Sequence, residues 1–254
     1  MKIRLIQSSI GDSGSQQFLA TYVIDDTVAI DAGCLGFMSP VDDQRRIEHI
    51  FLSHSHIDHI ASLPIFVDNV YVPGPDCVTI HGNREVLDCL RSHIFNDRIW
   101  PDMVQLSEPK TAFMELVEIE HGKPVEVNGL KITPVELDHI VPTLGFVIEG
   151  QDASIVFVSD TSPTQAIWDL ANQTPNLKAA FLEASFPNSM AWLADRSKHL
   201  TPEMFNEETK KLQRDATIIA VHIKPAFEDA IIAELKMLDL PNLRIGRPGQ
   251  RYEF

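Results

Sequence analysis

Cysteine is scarce in this chain. The 254 residues hold three, Cys34, Cys77 and Cys89, odd in number and without a CxxC pair, which excludes a disulfide framework and a cysteine-rich zinc knuckle. Long hydrophobic runs are missing too: stretches such as Ile218 to Val221 and Ala179 to Leu182 fall far short of the roughly 20 residues that cross a bilayer. The opening MKIRLIQSSIGDSG turns polar at Gln7, so no signal-peptide core follows its basic residues, and a cytoplasmic location with no membrane partner is expected. Positive charge is the third shortage. Lys and Arg number 21 against 36 Asp and Glu, a net charge of -15, and that field speaks against a large nucleic acid as partner. Small anions are not excluded, because bound cations reverse the potential inside a cleft. What remains is an ordinary globular composition, 44% hydrophobic and 22% charged. No linker, repeat or low-complexity tract divides it, so one domain over residues 1–254 is expected.

Short apolar stretches at Ile3 to Ile6, Leu19 to Ile24, Thr27 to Ile30 and His49 to Leu52 predict strands, with Asp25-Asp26 as a hairpin turn. A helix from Ile60 to Val67 interrupted by Pro64, a strand at Val78 to His81 and a helix from about Arg84 to Phe95 follow. Asn128-Gly129 predicts a hairpin between Pro124 to Val127 and Leu130 to Leu137, and Leu144 to Ile148 continues the β pattern. Strands at Ile155 to Val158, Ala179 to Leu182, Ile218 to Ile223 and Leu243 to Ile245 alternate with helices near Pro163 to Ala171, Thr201 to Leu212 and Glu228 to Leu238. Strand pairing is not readable from periodicity, but the pattern places the chain in the α/β class, with layered sheets faced by helices.

The strand Phe51-Leu52 runs into Ser53-His54-Ser55-His56-Ile57-Asp58-His59, four potential metal ligands within six positions. Imidazole and carboxylate suit Zn2+, Mn2+ or Fe2+, and crowding them calls for a cation to offset desolvation. Three further residues repeat the context of an apolar strand followed by a ligand type: His139, Asp160 and His222. Strand ends aim such groups rigidly while adjacent loops admit substrate. His49, His81, His93 and His121 stand outside the pattern and are assigned structural roles.

With His54, His56, Asp58 and His59 forming HxHxDH and His139, Asp160 and His222 following in order, the chain resembles the metallo-β-lactamase superfamily. That resemblance implies a four-layer αββα sandwich and two divalent metal ions, zinc in expectation, with Mn2+ or Fe2+ accepted. It implies His54, His56 and His139 on one metal and Asp58, His59 and His222 on the other, with Asp160 bridging and Asp31 supporting the ligands. Within the superfamily, His93 to Asp102, Glu183 to Asn188, His199 to Pro202 and Val221 to Pro225 resemble the class II 3',5'-cyclic-nucleotide phosphodiesterases, while the loop Ser8 to Gly14 departs from their fuller glycine-rich form. The implied function is hydrolysis of cAMP or cGMP to the 5'-monophosphate by metal-activated water. His199 would assist the leaving group, and Asp58 and Glu183 are counted with it in the catalytic set. Asn96 and Trp100, with His199, would bind the nucleotide. A small cyclic nucleotide and a second copy in a homodimer are the expected partners. The alternative is a transfer-RNA 3'-processing endonuclease, which shares His139, Asp160, His199 and the Glu183 region, or another phosphodiesterase of the same superfamily.

Overall fold

The computed structural model describes residues 1–9 and 16–254. Most of the departing loop, residues 10–14, therefore lies outside the described residues. In chain order, β1 (Lys2–Leu5), β2 (Tyr22–Ile24), β3 (Val28–Ile30), β4 (His49–Phe51), β5 (Val78–Gly82) and β6 (Met114–Glu118) build a first sheet. A second contains β7 (Val125–Val127), β8 (Leu130–Leu137), β9 (Thr143–Glu149), β10 (Ser154–Val158), β11 (Leu177–Glu183), β12 (Thr217–Val221) and β13 (Leu243–Ile245). The last strand, β14 (Arg251–Glu253), returns to pair antiparallel with β1. The orders are β14-β1-β2-β3-β4-β5-β6 and β13-β12-β11-β10-β9-β8-β7. Each sheet is antiparallel at one side and parallel at the other: β3 to β6 run parallel, as do β10 to β13.

Parallel strands joined by crossover helices are covered on both faces, and so read as unbroken apolar runs. Three cores result. Val28, Ile30 and Phe51 of the first sheet meet Phe146, Ile155, Phe157, Phe181 and Ile219 of the second, while Ala29 and Ile50 point the other way into a core with Leu63, Phe66 and Val67. Val156, Val158, Ala180, Leu182, Ile218 and Ala220 face a third core with Trp168, Phe205, Ile231 and Leu235. The helices that follow first-sheet strands are α1 (Val41–Gln44), α2 (Ile57–Ile60), α3 (Leu63–Val70), α4 (Arg84–Cys89) and α5 (Met103–Leu106). Those of the second half are α6 (Ala166–Gln173), α7 (Ala191–Ser197), α8 (Pro202–Thr209) and α9 (Glu228–Met237). Three cores between four layers give the αββα sandwich that the resemblance implies. No helix among the described residues is long and apolar enough to cross a membrane.

Most expected elements are present within a few residues, and the differences have local causes. Pro64 does not interrupt a helix; it occupies the first turn of α3, where its missing N–H costs nothing. The helix expected through Phe95 leaves α geometry at Leu90, continuing as a π-helical turn to Ile94. Asp25, Asp26, Asn128 and Gly129 all adopt positive φ, as tight hairpins require. Helix α7 and strand β14 had no periodic signal, because each is short and mostly solvent-facing.

Candidate metal centre

The chemistry-bearing residues follow the carboxyl ends of their strands: Asp31 after β3, the His54 to His59 run after β4, His139 after β8, Asp160 after β10, Glu183 at the end of β11 and His222 after β12. These ends converge. His54, His56, His139 and Asp160 form one cluster of potential ligand atoms and Asp58, His59, Asp160 and His222 a second, the atoms of each lying within 4.8 Å of one another. Asp160 belongs to both, its Oδ2 3.7 Å from His54 Nε2 and 3.5 Å from His59 Nε2, and its Oδ1 3.6 Å from His222 Nε2. Glu183, His199 and His222 make a third, overlapping group.

Hydrogen bonds on the far side of each ring fix which nitrogen faces the cluster. His59 Nδ1 donates to Asp31 Oδ2 at 2.7 Å, and His139 Nδ1 donates to the Lys198 carbonyl at 2.8 Å. The Ser53 hydroxyl gives its one proton to Asp31 at 2.9 Å, so at 3.0 Å from His54 it accepts from Nδ1. Ser185 repeats the device: it donates to Glu183 Oε2 at 2.6 Å and accepts from His222 Nδ1 at 2.9 Å. In all four rings Nε2 is left with a bare lone pair pointing inward. His56 turns its Nδ1 inward instead, 3.3 Å from His139 Nε2, and His59 Nε2 stands 3.3 Å from His222 Nε2.

Bare imidazole nitrogens at such separations have no proton to share, and His54 Nε2 is buried with no hydrogen-bond partner at all. Burying polar atoms this way is costly unless a cation occupies the space. The donor set therefore fits a dinuclear site, with three imidazoles and a carboxylate on one side and two imidazoles and two carboxylates on the other. Burial pushes the pKa values of His54 and His139 down, keeping them neutral as ligands must be. Asp58 Oδ2 lies 3.2 Å from the same bare His222 Nε2, a further pair of electron-rich atoms that a cation would reconcile. At His199 burial opposes the proton, yet the Glu183 carboxylate at 2.9 Å raises the pKa on balance.

Backbone geometry builds this site as much as side chains do. Asp31 and His222 both have left-handed φ, 58° and 54°. His222 is held there by Gln17, whose Oε1 accepts from the His222 N–H at 2.6 Å while its Nε2 donates to the Gly246 carbonyl at 2.8 Å. Gly33 is required by close approach, since a Cβ there would lie 2.0 Å from the Asp58 carbonyl oxygen. Ser53, Ser185, Gln17 and Gly33 received no role from the sequence. Ser53 and Ser185, next to His54 and two positions after Glu183, could have been suspected; Gln17 carries no sequence signal.

Asn96 and Trp100 stand apart from the clusters. The Asn96 amide is spent within its own loop, Nδ2 on the Ser92 carbonyl and Oδ1 on the N–H groups of Arg98 and Ile99. Trp100 packs against the core beneath α3 and α4. The Trp100 indole N–H is buried without a hydrogen-bond partner among the described residues.

Residues 28–223 match the family described as the beta-lactamase superfamily domain. A "Probable 3',5'-cyclic-nucleotide phosphodiesterase" of Yersinia pestis is 25% identical over 229 residues, 80% of this chain and 64% of that protein. Ribonuclease Z of Macrococcus caseolyticus is 28% identical over 114 residues, 43% of this chain and 33% of that protein. The chain thus spans less than two thirds of the length of these relatives. The crystal structure of unliganded yeast PDE1 superposes with a TM-score of 0.80 at 18% identity, covering 98% of both chains. No single branch stands out among such distant relatives. They also overturn one expectation, that the acidic charge speaks against nucleic-acid partners, because RNA-processing nucleases recur among them. Net charge sums the whole surface, whereas a phosphate meets only the site, where cations would set the sign of the potential. Family match, four-layer fold and paired ligand clusters agree, and the chain belongs to the metallo-β-lactamase superfamily of metal-dependent hydrolases.

Proposed function

We propose that the chain hydrolyses 3',5'-cyclic nucleotides to 5'-monophosphates. The observation that carries this reading is the pair of ligand clusters sharing Asp160, with His199 3.9 Å from the same carboxylate. Phosphoester chemistry needs charge neutralisation on the phosphoryl oxygens and a proton for the leaving oxygen, and both provisions lie side by side here. The cyclic-nucleotide substrate is supported by the phosphodiesterases among the relatives. His54, His56 and His139 would hold one divalent ion and Asp58, His59 and His222 the other, with Asp160 between them; the nitrogen and oxygen donors favour Zn2+ and accept Mn2+ or Fe2+. Two such ions supply Lewis acidity that lowers the pKa of water and offsets phosphate charge.

The remaining work falls to the chain's own groups. His199 donates Nδ1–H to Glu183 Oε1, and Glu183 is itself anchored by the Thr161 N–H at 3.0 Å and the Leu200 N–H at 3.2 Å. Glu183 is thus the positioning residue that holds His199 protonated and in one orientation. His199 releases a proton to the departing 3'-oxygen, which as an alkoxide would otherwise leave slowly. Asp31 and the two serines hold the imidazoles still while charge moves.

The test is hydrolysis of a panel comprising cAMP, cGMP, a 2',3'-cyclic nucleotide, a precursor tRNA and a β-lactam by protein of measured metal content. Turnover of cAMP or cGMP to the 5'-monophosphate is expected. Release of mature tRNA ends with both cyclic nucleotides untouched would replace the reading with 3'-end RNA processing, the alternative that the ribonuclease Z relatives favour.

A further inference from the structure

Beside the second ligand cluster opens a cleft of 360 Å³ that shares Asp58 and His222 with it. Larger hollows exist, 510 Å³ between Arg4 and Arg251 and 600 Å³ between Asn83 and Leu144, but neither is lined by any ligand residue. The cleft is of small-ligand size, at the lower end of the roughly 300–1,000 Å³ typical of such pockets. Its walls are Phe18 and Leu19 on the segment before β2 and Pro225 and Phe227 on the turn after His222, with Tyr22 also lining it. Phe18 leaves 47% of its surface exposed, so its ring is accessible from the cleft. Lys224 borders the same space, its Nζ 5.3 Å from the centre of the Phe186 ring, and that ring lies 5.7 Å from the His199 ring. Among the described residues Lys224 makes no ion pair, so its charge is available beside the reacting centre.

Two aromatic walls next to an unpaired cation match a planar, apolar-faced group joined to an anion. A nucleobase joined through ribose to phosphate has that form, and base-on-aromatic stacking tolerates any base because every base has a π-face. We propose that this cleft is the nucleobase pocket of the centre, with Phe18 and Phe227 packing on the base and Lys224 taking up phosphate charge. The assignment rests on the phosphodiesterase reading and deepens it, and it replaces the contacts expected of Asn96 and Trp100. The pocket is then built by the Phe18 to Tyr22 segment and the Lys224 to Phe227 turn, which come from opposite ends of the chain.

Isothermal titration of the zinc-loaded protein with AMP and with ribose 5-phosphate separates base from phosphate. AMP is expected to bind about tenfold or more tighter than ribose 5-phosphate, the scale of one stacked base. Phe227→Ala should bring the two affinities together, and Phe227→Leu, which keeps the site apolar and filled, guards against misfolding of the alanine variant by lowering the same ratio. Lys224→Met should weaken both ligands by a similar factor. Equal affinities in the unaltered protein, or a ratio that ignores both Phe227 variants, would overturn the assignment. Assay of cAMP on the same preparations keeps the two claims distinct. If cyclic nucleotides are not hydrolysed but the ratio falls as described, the substrate reading fails and the pocket stands; if they are hydrolysed and the ratio is unmoved, the pocket alone fails.

Discussion

At Ser53 and Ser185 a single hydroxyl proton decides what a histidine can do. Each serine stands between a buried carboxylate and an imidazole, Asp31 and His54 in one case, Glu183 and His222 in the other. Removing the hydroxyl leaves the ring free to flip or to take the other tautomer. Ser185→Ala should therefore lower metal affinity about 10- to 100-fold, the usual effect of losing such a partner, with competition against a chelator as the measurement. His199 belongs to a different functional set. His199→Ala should keep its metal, as elemental analysis would show, while turnover of a cyclic nucleotide drops roughly 10^2- to 10^4-fold. A p-nitrophenyl phosphodiester should lose less, since a phenolate departs without a proton. The histidines and aspartates of the site were legible because their spacing is compressed and their context repeats. Gln17 was not, because nothing in its local sequence separates a clamp from any other glutamine, and the serines show only through their nearness to His54 and Glu183.

The element that matters most is the short stretch from β4 into α2. Its register depends on the neighbouring loop, since the Ala20 N–H donates to the Asp58 carbonyl at 2.9 Å and the Ala32 N–H to the His59 carbonyl at 2.7 Å. Gly33 lies under this contact, and Gly33→Ala has no room to expand because its neighbours are backbone atoms. A loss of about 1–3 kcal/mol in unfolding free energy is expected, as for other overpacked sites, together with metal content below that of the unaltered chain. Unfolding in urea with parallel metal analysis measures both. Strands such as β10, β11 and β12 could be read directly, because burial on both faces leaves an apolar run with a functional residue at its end. Their parallel pairing could not, since period and composition are the same whichever neighbour a strand finds. Asn96 shows the converse: a residue singled out by resemblance, whose amide closes the turn it sits in.

For the whole molecule, a histidine outside the ligand clusters contributes to how stability changes in acid. His81 on β5 stacks on Phe51 with ring centres 4.3 Å apart and lies 3.2 Å from His49 through ring nitrogens, and burial lowers its pKa to about 4. Its folded pKa is below the unfolded value, so the unfolded chain binds the proton first. The neutral ring's contribution is complete above about pH 6.5 and drains away as pH falls toward 4. Thermal unfolding across that window should shift less steeply with pH in His81→Phe than in the unaltered chain; matching slopes would rule the effect out.

Each ligand cluster takes residues from both halves of the sandwich, His54 and His56 with His139 and Asp160, and Asp58 and His59 with Asp160 and His222. Neither sheet alone owns a complete set. Cation binding would then be linked to the seating of one sheet on the other, adding to the apolar core that already joins them. Loading the protein with a divalent ion should therefore raise its unfolding temperature, which thermal unfolding with and without a chelator measures.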